Sequence, residues 1–331
     1  MKNHAFSSRS LRQLIAGLAL GLTALTATAQ SGAYPTKSLR LIVAYAPGGA
    51  TDAVARKLAS EMGDVLGQSV VVENRPGASG NIGADLVAKS NPDGYTLLFA
   101  PSTLIANPLI MKTAAPFDVK RDFDPLFMVA SGPLLFLVRT DGPASVQAFV
   151  EAAKAAPRKF NFGTGGFGAA GHLSAELFKQ EAGIKDVPVV LYKGTAPAIT
   201  DIIGGQLSGM MEPSLSALPQ IRGGRLKALA VASTQRDPLF PDVPTFAEVG
   251  LPGVQFDTWY GVWAPVGMPA PVKSRLIQAY QKVIQSKAYL SWLAEQGYTA
   301  SQFTESRFQD FLDKETARYA QIVRDGRIQQ D

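Results

Sequence analysis

Short apolar runs alternate along this chain with stretches in which apolar positions recur every three or four residues. Residues 39–45, 70–73, 96–100, 134–138, 187–192, 207–211 and 226–232 are apolar runs of strand length. Between them, helical patterns cover 52–66, 83–89, 145–155, 169–182, 196–203 and 215–222, the first of them stopped by Gly67. Strands that alternate with helices predict an α/β fold of mostly parallel sheets flanked on both faces by helices. From 271 to 327 the pattern turns almost wholly helical, with Leu276, Ile277, Tyr280, Val283 and Ile284 and later Phe308, Phe311, Leu312 and Tyr319 at helical spacing. About 60 residues bury little core alone, so this helical end is expected to pack back on the lobe it adjoins.

No repeat or low-complexity linker marks a clean cut. The 331 residues suit about two domains, and the chain is expected to cross between them near Ser131-Gly132-Pro133 and Leu251-Pro252-Gly253. That division gives a discontinuous lobe one, 30–131 with 253–331, and a lobe two, 132–252, with a hinged cleft between them.

Residues 1–29 read differently. Lys2, Arg9 and Arg12 precede an uncharged apolar run over 14–25, and Ala27-Thr28-Ala29 supplies the small residues that a signal peptidase reads, so cleavage is expected after Ala29 and the mature protein in the periplasm. The run is shorter than the ~20 residues a membrane span needs. Of 32 basic side chains three lie in this leader, leaving 29 against 27 acidic ones, with no basic stripe of the kind that binds nucleic acid. The chain has no cysteine and, beyond the leader, one histidine, His172, which excludes thiolate chemistry and a typical zinc site. No Gly-x-Ser-x-Gly elbow is present. No metal, cofactor or catalytic residue is expected.

The chemistry that remains lies in loops between strand ends and helix starts, where open α/β sheets bind ligands. In 45–52, Tyr45, Pro47, Gly48, Gly49, Thr51 and Asp52 run into a helix whose first N–H groups have no intrahelical partner. Such a start receives a carboxylate or phosphate without any arginine; the plainer alternative is a tight turn capped by Thr51 or Asp52. Gly163 to Gly168 match the three-glycine dinucleotide spacing, but the next strand ends in Lys193-Gly194 and not in the acidic residue that would hold a ribose. Thr164, Gly165, Gly166, Phe167 and Ala169 therefore read as a second anion-facing helix start, with His172 just inside the helix. Ser102 and Thr103, Tyr192-Lys193-Gly194-Thr195, and Glu212 occupy similar junctions. Tyr45, Phe167, Trp259 and Tyr260 lie in or beside these loops and can line a cleft.

Ordered motifs across the chain resemble the tripartite tricarboxylate transporter substrate-binding family, also called the Bordetella uptake receptors. They include Ala46-Pro47-Gly48-Gly49 with Asp52, Glu73-Asn74-Arg75-Pro76-Gly77-Ala78, Pro92-Asp93-Gly94-Tyr95-Thr96-Leu97, Gly171-His172-Leu173, Tyr192-Lys193-Gly194, Pro241-Asp242-Val243-Pro244-Thr245 and Trp259-Tyr260-Gly261-Val262-Trp263-Ala264-Pro265. The resemblance implies a two-lobed periplasmic binding protein of the Venus-flytrap type. It implies a small carboxylate ligand, held by amides and hydroxyls at Gly48, Gly49, Asp52, Ser102, Thr103 and Thr164 to Ala169, and delivery to integral membrane subunits of a transporter. A monomer is expected. Where many members carry a Ser-Pro-Gly type sequence this chain has Gly163 to Phe167, and where an acidic-Asn pair is common it has Glu212-Pro213. Phe167 adds an aromatic acid to the di- and tricarboxylates as an expected ligand. Two alternatives stay open: an exported α/β enzyme, and a binding receptor that feeds a sensor kinase.

Overall fold

The computed structural model describes residues 34–111, 115–326 and 328, so the expected leader and the cleavage expected after Ala29 lie outside the described residues. In chain order the elements are β1 (Leu39–Val43), α1 (Ala50–Leu66), β2 (Val70–Asn74), α2 (Asn81–Ala88), β3 (Thr96–Pro101), α3 (Thr103–Ile110), α4 (Val119–Asp122), β4 (Phe123–Arg139) and α5 (Val146–Ala155). They continue with β5 (Phe162–Thr164), α6 (Ala170–Ala182), β6 (Val189–Leu191), α7 (Thr195–Ile203), β7 (Gly209–Pro213), α8 (Ser214–Arg222) and β8 (Leu226–Val231). β9 (Asp257–Pro265), α9 (Ala270–Val283), α10 (Lys287–Glu295), β10 (Thr299–Ala300) and α11 (Glu305–Gly326) complete the chain. Residues 34–36 belong to a short leading unit, and everything from Lys37 onward forms one compact unit.

β4 organises that unit. Its 17 residues span about 55 Å at the usual strand rise, roughly three times a typical strand. From Phe123 to Pro133 it pairs with β9, and from Leu134 onward with β7 on one side and β8 on the other. One strand thus serves two sheets, ordered β2-β1-β3-β9-β4 and β4-β7-β5-β6, with β10 and β8 added beside β4. The change of partners falls at Gly132-Pro133-Leu134. An added methyl at Gly132 would lie 2.5 Å from the Gly297 carbonyl, so the chain needs glycine there. β9 brings the chain back from the second sheet, and its start is tied by Phe256 N donating to Ala232 O at 2.8 Å.

The expected parallel pairing holds at both outer parts: β1 pairs parallel with β2 and β3, and β5 with β6 and β7. The centre is antiparallel, β9 against β3 and β4, and β4 against β7, β8 and β10. The reason is directional: a strand that carries the chain out of the first sheet and one that brings it back run in opposite senses.

Aromatic residues fill both cores. Under the second sheet Phe136 meets Phe149 edge-on at 5.0 Å and Phe178 at 4.9 Å, with Phe162 and Phe246 at 5.9 and 6.2 Å. Under the first, Phe127 stacks on Tyr280 at 4.1 Å, and Trp259 Nε1 donates to the Tyr319 hydroxyl at 3.0 Å. Tyr319 belongs to α11, whose buried Phe308, Leu312, Tyr319, Ile322 and Val323 form one stripe at helical spacing. The 22 residues of α11 make about 33 Å of helix. It packs on α3 and β4, as the helical end was expected to do, and being longer than that face it continues onto α6 beside the second sheet.

Candidate functional site

Five strand ends and five helix starts meet around one cavity of about 180 Å³. α1, α3, α6, α7 and α8 follow β1, β3, β5, β6 and β7, and each contributes residues of its first turn or of the bend before it. The helix starts come from both sheets, and β9 closes the floor. Because β9 runs antiparallel to β3, with Pro101 opposite Tyr260, its early residues Thr258 and Tyr260 reach the same edge as the end of β3.

The β1–α1 bend is set from behind. Gly48 sits at φ +88, a left-handed conformation that favours glycine, and its N–H donates to Asp52 Oδ2 at 3.0 Å. Arg56 Nε donates to the same oxygen at 2.9 Å, and Asn74 Nδ2 to Oδ1 at 2.9 Å and to Tyr45 O at 3.0 Å. Burial raises the Asp52 pKa, but these three donors outweigh it and hold the carboxyl below its ordinary value. Asp52 therefore shapes the bend while Tyr45, Pro47, Gly49 and Thr51 line the cavity. The Tyr45 hydroxyl lies 2.7 Å from Thr103 Oγ1, as donor to it, and burial raises its pKa.

On the second sheet, Thr164, Gly165 and Ala169 line the cavity. The loop glycines answer to packing. A methyl at Gly163 would lie 2.2 Å from Leu207 Cδ1, and one at Gly165 2.7 Å from Thr195 Oγ1. Gly194 N donates to Gly165 O at 2.9 Å and joins the two loops. The glycines of the dinucleotide-like spacing thus answer to close packing, with loop-on-loop contact at Gly165. Gly168, at φ +70, approaches Ile110 and Asn107 of α3 from the opposite side of the cleft.

The structure brings ten of the sixteen residues singled out in the sequence onto the wall: Tyr45, Pro47, Gly49, Thr51, Thr103, Thr164, Gly165, Ala169, Lys193 and Glu212. The other six lie off it. Gly48 and Asp52 form the bend just described. Ser102 is fully buried beneath the start of α3, and Gly166 is outside the lining. His172 is 4 % exposed, its Nδ1 accepts from Gly168 N at 3.1 Å, and burial pushes its pKa down to about 4. Phe167 packs its ring 4.9 Å from that of His172, so it gives no support to an aromatic ligand. Thr258 and Ser216, which line the cavity, carried no signal in the sequence; Thr195 and Tyr260 stood in segments already noted. Trp259 is core, bonded to Tyr319.

The electrostatics come mainly from the main chain. The helix starts at Gly49, Ser102, Ala169, Gly194 and Pro213 receive no side-chain capping bond. α4, α5 and α10, which do not line the cavity, are capped by Asp118, Ser145 and Ser286, although α2 and α9 are not. An uncapped start presents free N–H donors and about half a positive charge. Among the described residues, Lys193 is the one cationic side chain on the wall and Glu212 the one acidic one. Such an arrangement can hold an anion without a metal, and among the described residues no three His, Cys, Asp or Glu groups gather to bind one.

Residues 54–327 match the family described as tripartite tricarboxylate transporter family receptor. Protein BugT of Bordetella pertussis is 36 % identical over 313 residues, covering 94 % of this chain and 96 % of that protein. Among solved structures, the periplasmic binding protein BugD is 31 % identical with a TM-score of 0.84, covering 90 % of this chain and all of that one. An R. palustris protein with adipate is 32 % identical with a TM-score of 0.86, covering 89 % and 99 %. MatC from Rhodopseudomonas palustris, with bound malate, is 30 % identical with a TM-score of 0.82, covering 88 % and 100 %. The fold is that of two-lobed periplasmic binding proteins, and the chain belongs to the tripartite tricarboxylate transporter receptor family.

Proposed function

We propose that this protein captures a small carboxylate between its two lobes in the periplasm and delivers it to the integral membrane subunits of a tripartite tricarboxylate-type transporter. The observation that carries the reading is the convergence of five uncapped helix starts, from both sheets, on one cavity of about 180 Å³. Free amides and dipoles from opposite sides of a cleft suit a ligand that bridges it, and such a ligand favours closure by its preference for the closed form. The lobes in this proposal are 30–131 with 253–331, and 132–252, following a leader cleaved after Ala29. Adipate and malate, held by two solved proteins of similar fold and about 30 % identity, are the first ligands to try. A dicarboxylate, with one anionic group for each lobe, fits better than an aromatic acid, since Phe167 lies off the wall. The protein works as a monomer and leaves its ligand unchanged.

Thermal melting and calorimetry against adipate, malate, benzoate and the uncharged diamide of adipate test this. A rise in melting temperature with the acids and none with the diamide is expected, with ligand recovered intact by NMR. Equal binding of acid and diamide would sink the anion reading, and turnover of the acid would favour an enzyme. Ligand uptake that requires both this protein and the membrane subunits tests delivery.

A further inference from the structure

A carboxyl group on the wall of an anion-binding cavity needs a reason. Glu212, at the end of β7, is 3 % exposed and lies between the starts of α7 and α8. Its bonding partners are hydroxyls: Thr195 Oγ1 donates to its Oε1 at 3.3 Å, and Ser216 in the first turn of α8 also bonds it. Among the described residues no lysine or arginine forms an ion pair with it; Lys193, the cation on the same wall, is exposed and forms none with it.

The groups around it offer no other compensation. Tyr260 on β9 and Tyr298 ahead of β10 face it as phenols, their hydroxyls 3.0 Å apart, and Tyr45 stands across the cavity. Asp237, beyond α8, is occupied by the Ser214 hydroxyl at 2.8 Å. Glu212 lies between the uncapped starts of α7 and α8, whose first-turn amides form positive helix ends that favour a negative charge. A captured carboxylate needs the same amides, and two anions cannot share them without repulsion.

We propose that Glu212 serves the captured carboxylate as a neutral acid, donating its proton in a hydrogen bond to a ligand oxygen, so that capture takes up a proton from solvent wherever the empty receptor has lost it. This rests on the anion reading of the cavity and adds a specificity-determining residue to it. The proton stays on Glu212 throughout. Burial, only partly offset by the Thr195 and Ser216 hydroxyls, pushes the carboxyl up to about 8, which keeps it mostly protonated at neutral pH.

Adipate titrations of the purified protein from pH 6 to 9.5, in buffers of different ionisation enthalpy, test the proposal. Affinity should be level below pH 7 and fall about tenfold per unit above pH 8, with proton uptake near zero at pH 6.5 and approaching one per adipate at pH 9.5. Glu212→Gln should bind adipate more weakly than the native protein at pH 7, an amide being a poorer donor, yet more tightly at pH 9.5, with a flat profile and no uptake. Adipate binding by the native protein that is flat and takes up no proton at pH 9.5 overturns this proposal and leaves the receptor reading standing. A Gln variant that keeps the native pH profile overturns it as well. Absence of adipate and malate binding at every pH removes both readings. If the variant does not fold, proton uptake by the native protein decides.

Discussion

Replacing Gly165 with alanine, and separately its neighbour Gly166, tests whether loop-on-loop contact builds the cavity wall. A methyl at Gly165 would lie 2.7 Å from Thr195 Oγ1 and 2.8 Å from Thr195 N, while one at Gly166 meets nothing within 4 Å. Ordinary contact begins near 3.4 Å, so the start of α7 must retreat by roughly 0.6 Å. Overpacking of this kind costs about 1–3 kcal/mol, a fall of several degrees in melting temperature for a chain this long. Binding should suffer further. Thr195 and Gly194 belong to the wall, and losing one hydrogen bond to a charged group costs about 1.5–3 kcal/mol, or roughly ten- to a hundredfold in affinity. Calorimetry with adipate reads the binding, and differential scanning calorimetry the stability. Gly166→Ala should behave as the native protein in both. If the two variants bind adipate alike, the contact between the glycine loop and Thr195 does not shape the site.

Other perturbations test the frame. Phe136→Ala removes the ring shared by Phe149, Phe162, Phe178 and Phe246 and should cost about 3–5 kcal/mol by urea unfolding; a loss under about 1 kcal/mol would mean that the cluster is not packed as described. Tyr319→Phe leaves the buried Trp259 N–H without its acceptor and should cost about 1–3 kcal/mol, whereas an unchanged unfolding midpoint would argue against that bond. His172 has its folded pKa pushed below the ordinary 6.5 to about 4, so the unfolded chain binds more protons between these values. Its contribution is complete above pH 6.5 and is lost as pH falls toward 4, about 3 kcal/mol in all. His172→Gln should show a shallower loss of stability between pH 7 and 5 than the native protein, and identical slopes would refute the assignment.

How much of this was legible in the sequence depends on what each element buries. In the two outer sheet regions β1, β2, β3, β6 and β7 are largely apolar runs and were read within a few residues, whereas β5, only Phe-Gly-Thr, is too short and too broken by glycine to register as a strand. The first half of β4 was not, because Asp124, Pro125, Ser131, Gly132 and Pro133 interrupt it, and only pairing on both sides makes it a strand. α3 escaped notice for a related reason: it is buried nearly all round and carries Pro108, so it lacks a polar face to set a period. At the site, the loops after β1, β3, β5, β6 and β7 were identifiable as strand-to-helix junctions. Which side chains turn inward was not. Asp52 and His172 satisfy nearby main-chain donors behind their loops, an outcome that residue type and spacing leave undecided. Thr258 reaches the cavity only because β9 inserts beside β3, which is a fact of strand order.

That insertion also governs how the molecule can come into being. β9, at residues 257–265, lies between β3 and β4, both finished by residue 139. A nascent chain that has emerged as far as β8 therefore holds an open slot in its first sheet, with two unpaired edges waiting for a strand more than a hundred residues away. Closing a gap of that length favours slow assembly over fast local collapse. Until Asp257–Pro265 arrives, neither edge of that slot has its partner strand.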